Sequence, residues 1–111
     1  MQVKEGVNFD GIQPVMLRAM AEIDPIMRPT GEFCVTSALD GKHGPNSFHY
    51  VGCAFDLRTR HLGSKEKVEE LARKIRGVLG DHYDVVVEKD HIHIEVSPHW
   101  VSKNGDPRRI D

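Results

Sequence analysis

The chain is predicted to fold as an α+β domain, an antiparallel sheet with helices packed on one face. Three observations predict it. Residues 91–97 alternate apolar and polar, the period of a half-buried strand. The residues after Ser64 repeat apolar positions at helical spacing instead. The segments run in the order α-β-β-α-β-β, which suits helices laid on an antiparallel sheet. No internal repeat or low-complexity linker interrupts the chain, so residues 1–111 read as a single domain.

The first element is a helix from about Pro14 to Ile23. Proline suits the first helical turn, and Val15, Ala19, Met20 and Ile23 lie near one stripe. Asp24-Pro25 is expected to end or kink this helix, and Pro29-Thr30-Gly31 signals a turn. A strand follows over Glu32 to Ser37, with Phe33, Val35 and Ser37 alternating against Cys34 and Thr36. Asp40-Gly41 and Gly44-Pro45-Asn46 mark residues 39–46 as a loop. Gly52 to Arg58 reads as the next strand. Ser64 is a good N-cap for a helix whose inner stripe is Val68, Leu71, Ala72, Ile75, Val78 and Leu79, with lysines and glutamates facing out. Gly80 ends it. The strands His82 to Lys89 and His91 to Ser97 are joined so closely at Lys89-Asp90 that a tight antiparallel hairpin is expected. Pro98-His99-Trp100 reads as a turn.

Composition narrows the function. A chain of 111 residues, 39% of them apolar, can build one modest core. A net charge of −2 offers no basic footprint for nucleic acid, and the tail Pro107-Arg108-Arg109 is too short to supply one. No apolar run approaches the ~20 residues of a membrane span. Met1-Gln2-Val3-Lys4-Glu5 lacks the apolar core of a secretory signal. The expectation is a monomer that is cytoplasmic when synthesised. Cys34 and Cys53 sit in apolar, strand-like stretches and read as buried thiols, too few for a disulfide framework.

Seven histidines are many for this length, and their placement matters more than their number. On a strand, residues i and i+2 share a face. His91, His93 and Glu95 therefore line one face, and Ile92, Ile94 and Val96 the other. The apolar side must be the core side, so two imidazoles and a carboxylate are displayed opposite it. Upstream, His49 and Asp56 stand seven residues apart. An aspartate between Phe55 and Leu57 is costly unless paired or bound to metal. Arg58 or Arg60 could supply the pairing instead. Gly52 and Ala54 share the face of Asp56 and leave room for a ligand or close-packed backbone. Together the two segments supply the ligand types zinc prefers at a hydrolytic site, with three protein ligands and one position open.

Ser47-x-His49-x-x-Gly52-x-Ala54-x-Asp56, followed by His91-x-His93, resembles the zinc D-Ala-D-Ala carboxypeptidase-like peptidases. That group includes the VanX and VanY enzymes and phage L-alanyl-D-glutamate endopeptidases. Its metal arrangement is shared with the Hedgehog signalling domain and murein endopeptidases. The likeness covers residues 36–97, over half of the chain. It implies a Hedgehog-like fold, a Zn2+ cofactor held by His49, Asp56 and His93, and hydrolysis of peptidoglycan stem peptides, with phage-type release as the route to the cell wall. It further implies Asp90 as general base, His91 as the group that stabilises charge or orients water, and Ser47 as a substrate contact. Glu88 is the alternative base, in a register where His91 binds the zinc. The arginine that holds the oxyanion in some relatives has no secure counterpart, and Arg28 is the nearest guess. A non-catalytic zinc-binding module on the same scaffold is the alternative function.

Overall fold

The structure is a computed structural model that describes residues 1–104, with side chains through residue 101. The tail Pro107-Arg108-Arg109 lies outside the described residues. Within them, three α-helices and a five-stranded mixed sheet form an α+β fold. The elements are β1 (Gln2–Val3), α1 (Pro14–Met27), β2 (Cys34–Ser37), β3 (Ala54–Arg58), α2 (Lys65–Leu79), β4 (Tyr83–Val87), β5 (His91–Val96) and α3 (Pro98–Asn104). The strand order is β1-β2-β3-β5-β4.

One correction concerns the sheet itself. Three of its pairings are antiparallel, but β1 joins β2 in parallel, so the sheet is mixed. β1 leaves no periodic signal because it is two residues long and both side chains are exposed. Backbone bonds alone hold it: Gln2 N–H donates to Phe33 O at 2.6 Å, and Lys4 N–H to Val35 O at 2.9 Å.

A second correction concerns α1. Pro14 opens the helix as expected, but Asp24-Pro25 does not end it, and it runs on to Met27. Proline removes one ladder hydrogen bond. Against that loss, the last turn buries Met27 fully on the stripe of Ile23. Arg28 N–H restores the ladder by donating to Asp24 O, and the Arg28 guanidinium pairs with the Asp24 carboxylate. A third correction is at Pro98, where α3 begins in place of a turn.

The β4–β5 hairpin is as tight as its link implies. Glu88 N–H donates to His91 O at 2.9 Å, leaving only Lys89 and Asp90 inside the turn that this bond closes. Its register pairs Val85 with Ile94 and Val87 with Ile92 on one face, and Asp84 with Glu95 and Val86 with His93 on the other. The first face packs against α1 and α2: Phe55, Leu57, Ile92 and Ile94 meet Met16, Ala19, Ile23, Leu71, Ala72 and Ile75 in one buried cluster. α2 is capped by Ser64 Oγ, which accepts from Lys67 N–H at 3.2 Å. The Tyr83 hydroxyl donates to Val15 O at 2.9 Å and ties β4 to the start of α1. With both long helices on one face, the other face is left to the polar side chains of β3 and β5.

Candidate metal centre

Asp56 lies opposite His93 in the pairing of β3 with β5. Directly opposed residues project to the same side, so the carboxylate and the imidazole meet on the helix-free face. His49 arrives from a different element. Residues Phe48–Val51 form a short 3-10 turn capped by Ser47, whose Oγ accepts from His49 N–H at 3.2 Å. Gly52 then takes φ +74°, and its N–H donates to His49 O at 3.1 Å. A side chain at Gly52 is excluded twice over, since a Cβ there would sit 2.0 Å from Gly11 O. This close backbone approach folds the loop back so that His49 reaches Asp56.

The three side chains converge atom by atom. Asp56 Oδ1 stands 2.9 Å from His93 Nδ1 and 3.2 Å from His49 Nε2, and the two nitrogens are 3.2 Å apart. His49 and Asp56 are buried and His93 is half-buried. Donors bound to zinc at ~2.0–2.1 Å in a tetrahedron stand roughly 3.3–3.4 Å apart. The observed spacings therefore fit such an ion after an expansion of a few tenths of an ångström.

The far sides of both rings are already committed. His49 Nδ1–H donates to Ala38 O at 2.6 Å, and His93 Nε2–H donates to Glu95 Oε1 at 2.7 Å. A carbonyl and an ionised carboxylate can only accept, so the proton of each neutral ring lies on that outer nitrogen. The inner atoms, His49 Nε2, His93 Nδ1 and Asp56 Oδ1, are then three lone-pair donors with no proton among them. With both rings neutral, a cation at the centre would satisfy all three donors at once.

The electrostatics show how the same groups settle without an ion. Burial pushes the Asp56 pKa up, but His49 and His93 outweigh it and hold the carboxyl well below the usual carboxylate range. Burial opposes protonation of His93, yet the Asp56 and Glu95 carboxylates outweigh it and raise that pKa. A second proton on His93 is what the metal-free pocket would use in place of an ion. Arg58 does not neutralise Asp56, because it pairs with Glu32 at 3.1 Å.

The remaining expected residues fall at different distances from this centre. His91 Nε2 is 3.6 Å from Asp56 Oδ2, so His91 borders the cluster on the carboxylate's second oxygen. Asp90 Oδ1 lies 2.6 Å from His91 Nδ1, and the Asp90 side chain is 82% exposed. The His91 contact holds the Asp90 pKa below its ordinary value, with burial a smaller opposing effect. Glu88 is exposed and lines a cleft with Thr59, Arg60, Lys65 and Asp90. Ser47 caps the turn that carries His49. Arg28 is engaged with Asp24 at the end of α1, a helix packed against the other face of the sheet.

Two contributors carry little sequence signal. The His43 ring stacks on His49 with centroids 3.8 Å apart and planes 5° from parallel. His43 Nε2 is itself held by Asp40 O at 2.9 Å and Ser37 Oγ at 3.1 Å. Ala38 acts through its backbone, which no residue type announces. The fold and the site define a small α+β protein with a candidate His/Asp/His metal centre on the open face of its sheet. Comparison with family models, with curated proteins and with solved structures finds no match to this chain. No helix among the described residues is long and apolar enough to cross a membrane.

Proposed function

We propose that the chain is a zinc metallopeptidase that hydrolyses peptide bonds in peptidoglycan stem peptides, as a D,D- or L,D-type carboxypeptidase or endopeptidase. The observation that supports it most is the convergence of His49 Nε2, Asp56 Oδ1 and His93 Nδ1, each within 3.2 Å of the other two. These three would hold the ion. Two imidazoles and one carboxylate suit zinc, and a three-ligand site is the hydrolytic rather than the structural kind. When bound, zinc supplies a Lewis acid that brings water to a reactive form near neutral pH.

The chain's own residues would do the rest. Asp90 accepts the proton of the attacking water and returns it to the leaving amine. Its exposed carboxylate turns from His91 to do so, and Glu88 is the other carboxylate near the hairpin end. His91, beside Asp56, stabilises negative charge as it develops on the carbonyl oxygen. Ser47 is the proposed substrate contact at the lip of the site. The peptidoglycan assignment rests on the resemblance carried by Ser47, His49, Gly52, Ala54, Asp56, His91 and His93.

The test is digestion of purified peptidoglycan by the zinc-loaded protein, with new termini identified by mass spectrometry and His93→Ala as control. New peptide termini that vanish in the variant are expected. Absence of stoichiometric zinc in protein refolded with the metal would sink the proposal, as would wall-lytic activity that survives in His93→Ala. One observation favours a second reading, a non-catalytic zinc-binding module: Asp90 rests on His91 rather than facing the donor cluster. Stoichiometric zinc with no turnover of any muropeptide is the result that reading predicts.

A further inference from the structure

We propose that Glu95 is a positioning residue that sets which nitrogen of His93 faces the metal centre. The inference rests on the metal reading above and deepens it at a residue that does not itself reach the donor cluster. β5 places His93 and Glu95 on the same face, two residues apart, so their side chains run alongside one another. Glu95 Oε1 takes the Nε2–H of His93 at 2.7 Å, a short, charge-assisted contact. The opposite nitrogen, Nδ1, is thereby left bare and aimed at Asp56 Oδ1 at 2.9 Å and His49 Nε2 at 3.2 Å.

The alternative orientation is the informative comparison. If the ring flipped, both nitrogens would leave their present partners, Asp56 for Nδ1 and Glu95 for Nε2. Glu95 would then lose its donor. Its side chain is one-quarter exposed, so it would regain only part of its hydration. Ala38 O performs the matching task for His49, through a backbone carbonyl that substitution cannot remove. Glu95 is therefore the one outer partner of these two imidazoles that can be tested by changing a side chain. Cross-strand Asp84 opposes Glu95 on β4 and adds a like charge, which favours the carboxylate of Glu95 turning toward the ring.

Outer partners of this kind change metal affinity by about 10–100-fold when removed. The test compares wild type, Glu95→Gln and Glu95→Ala by competitive zinc titration and by 15N NMR of the histidine rings. Amide spectra serve as the check on folding. In wild type, with and without zinc, the His93 Nε2 proton is expected to be present, hydrogen-bonded and protected. In Glu95→Ala that proton signal is lost or exchanges freely, and zinc affinity falls by about 10–100-fold. Glu95→Gln keeps an accepting oxygen, so it is expected to retain the Nε2 proton and to lose less affinity.

Wild-type zinc affinity in a folded Glu95→Ala protein would overturn the proposal. Ligation of zinc through His93 Nε2 in wild type would overturn it equally. If wild type binds no zinc while the Nε2–Glu95 bond is intact, the metal reading fails and the positioning role stands. Loss of peptidase activity in Glu95→Gln with zinc affinity and the Nε2 signal unchanged would mark Glu95 as a reacting group, and would refute a purely positioning role.

Discussion

Replacing Gly52 with alanine should damage the fold and the metal centre together, for reasons the structure separates. The residue lies between His49 and Asp56, at φ +74°, with its would-be Cβ 2.0 Å from Gly11 O and 3.0 Å from Ile12 Cα. Left-handed backbone costs an L-residue about 1–2 kcal/mol. Contacts below 3.0 Å are not tolerated, so the backbones at Gly52 and Gly11 must part by at least 1.0 Å, the difference between 3.0 and 2.0 Å. That separation breaks the hydrogen bond from Gln13 N–H to Gly52 O, 2.9 Å long, worth about 1 kcal/mol. The sum is about 2–3 kcal/mol before any strain, which for a domain of this size lowers Tm by roughly 10 °C. A shift of that size beside His49 also exceeds the tolerance of roughly 0.2 Å for metal–ligand distances. Zinc affinity should therefore fall at least about tenfold, as it does when ligand orientation is lost. Gly63 is the control: its φ is +81°, but nothing lies within 4 Å of its would-be Cβ. Gly63→Ala should cost the backbone penalty alone and leave zinc binding unchanged. Thermal melts and competitive zinc titrations of both variants make the comparison. If Gly52→Ala melts and binds zinc as Gly63→Ala does, the close approach of the two backbones does not hold the site, and the reasoning is wrong.

On the proposed zinc reading, zinc at about 100 times its Kd should stabilise the protein by about 2.7 kcal/mol, seen as a rise in Tm that a chelator reverses and that Asp56→Asn or His93→Ala abolishes. Asp40 anchors the loop before His49, because its Oδ1 accepts from Asn8 N–H at 2.9 Å and Ala38 N–H at 3.0 Å. Burial opposes ionisation there, but these backbone donors outweigh it and lower the Asp40 pKa. A lowered folded pKa means stability present above the unfolded value of about 3.9 and lost as pH falls through the folded one. The gap in urea midpoint between wild type and Asp40→Ala should thus be widest at neutral pH and close in acid. Arg76 caps the outer edge of β4 by donating from Nε and Nη2 to Val85 O, at 3.2 and 2.8 Å. Arg76→Ala should expose an unpaired edge strand and raise the concentration-dependent self-association measured by sedimentation.

Residue order alone was enough for the polar face of β5 and for the helix over residues 65–79. Both are local periodicities: two for His91, His93 and Glu95, and 3.6 for Leu71, Ala72, Ile75 and Leu79. The donor chemistry was equally legible, because Asp56 between Phe55 and Leu57 demands compensation wherever the chain goes. Elsewhere local order was misleading or silent. Asp24-Pro25 reads as a helix end or kink, yet α1 runs through it to a buried Met27. The pair Gln2–Val3 carries no periodicity at all, and only backbone bonds to the edge of β2 make it a strand.

The centre itself is a property of the assembled sheet. Strand register puts Asp56 opposite His93, and a slip of one residue would turn the carboxylate into the core. The backbone contact at Gly52 brings His49 across, and Ala38 O and Glu95 choose the nitrogen each ring presents. A single strand's alternation says which side chains share a face. The spacing of three donor atoms to within a few tenths of an ångström depends on register, loop closure and ring orientation, which are long-range contacts that no local pattern encodes.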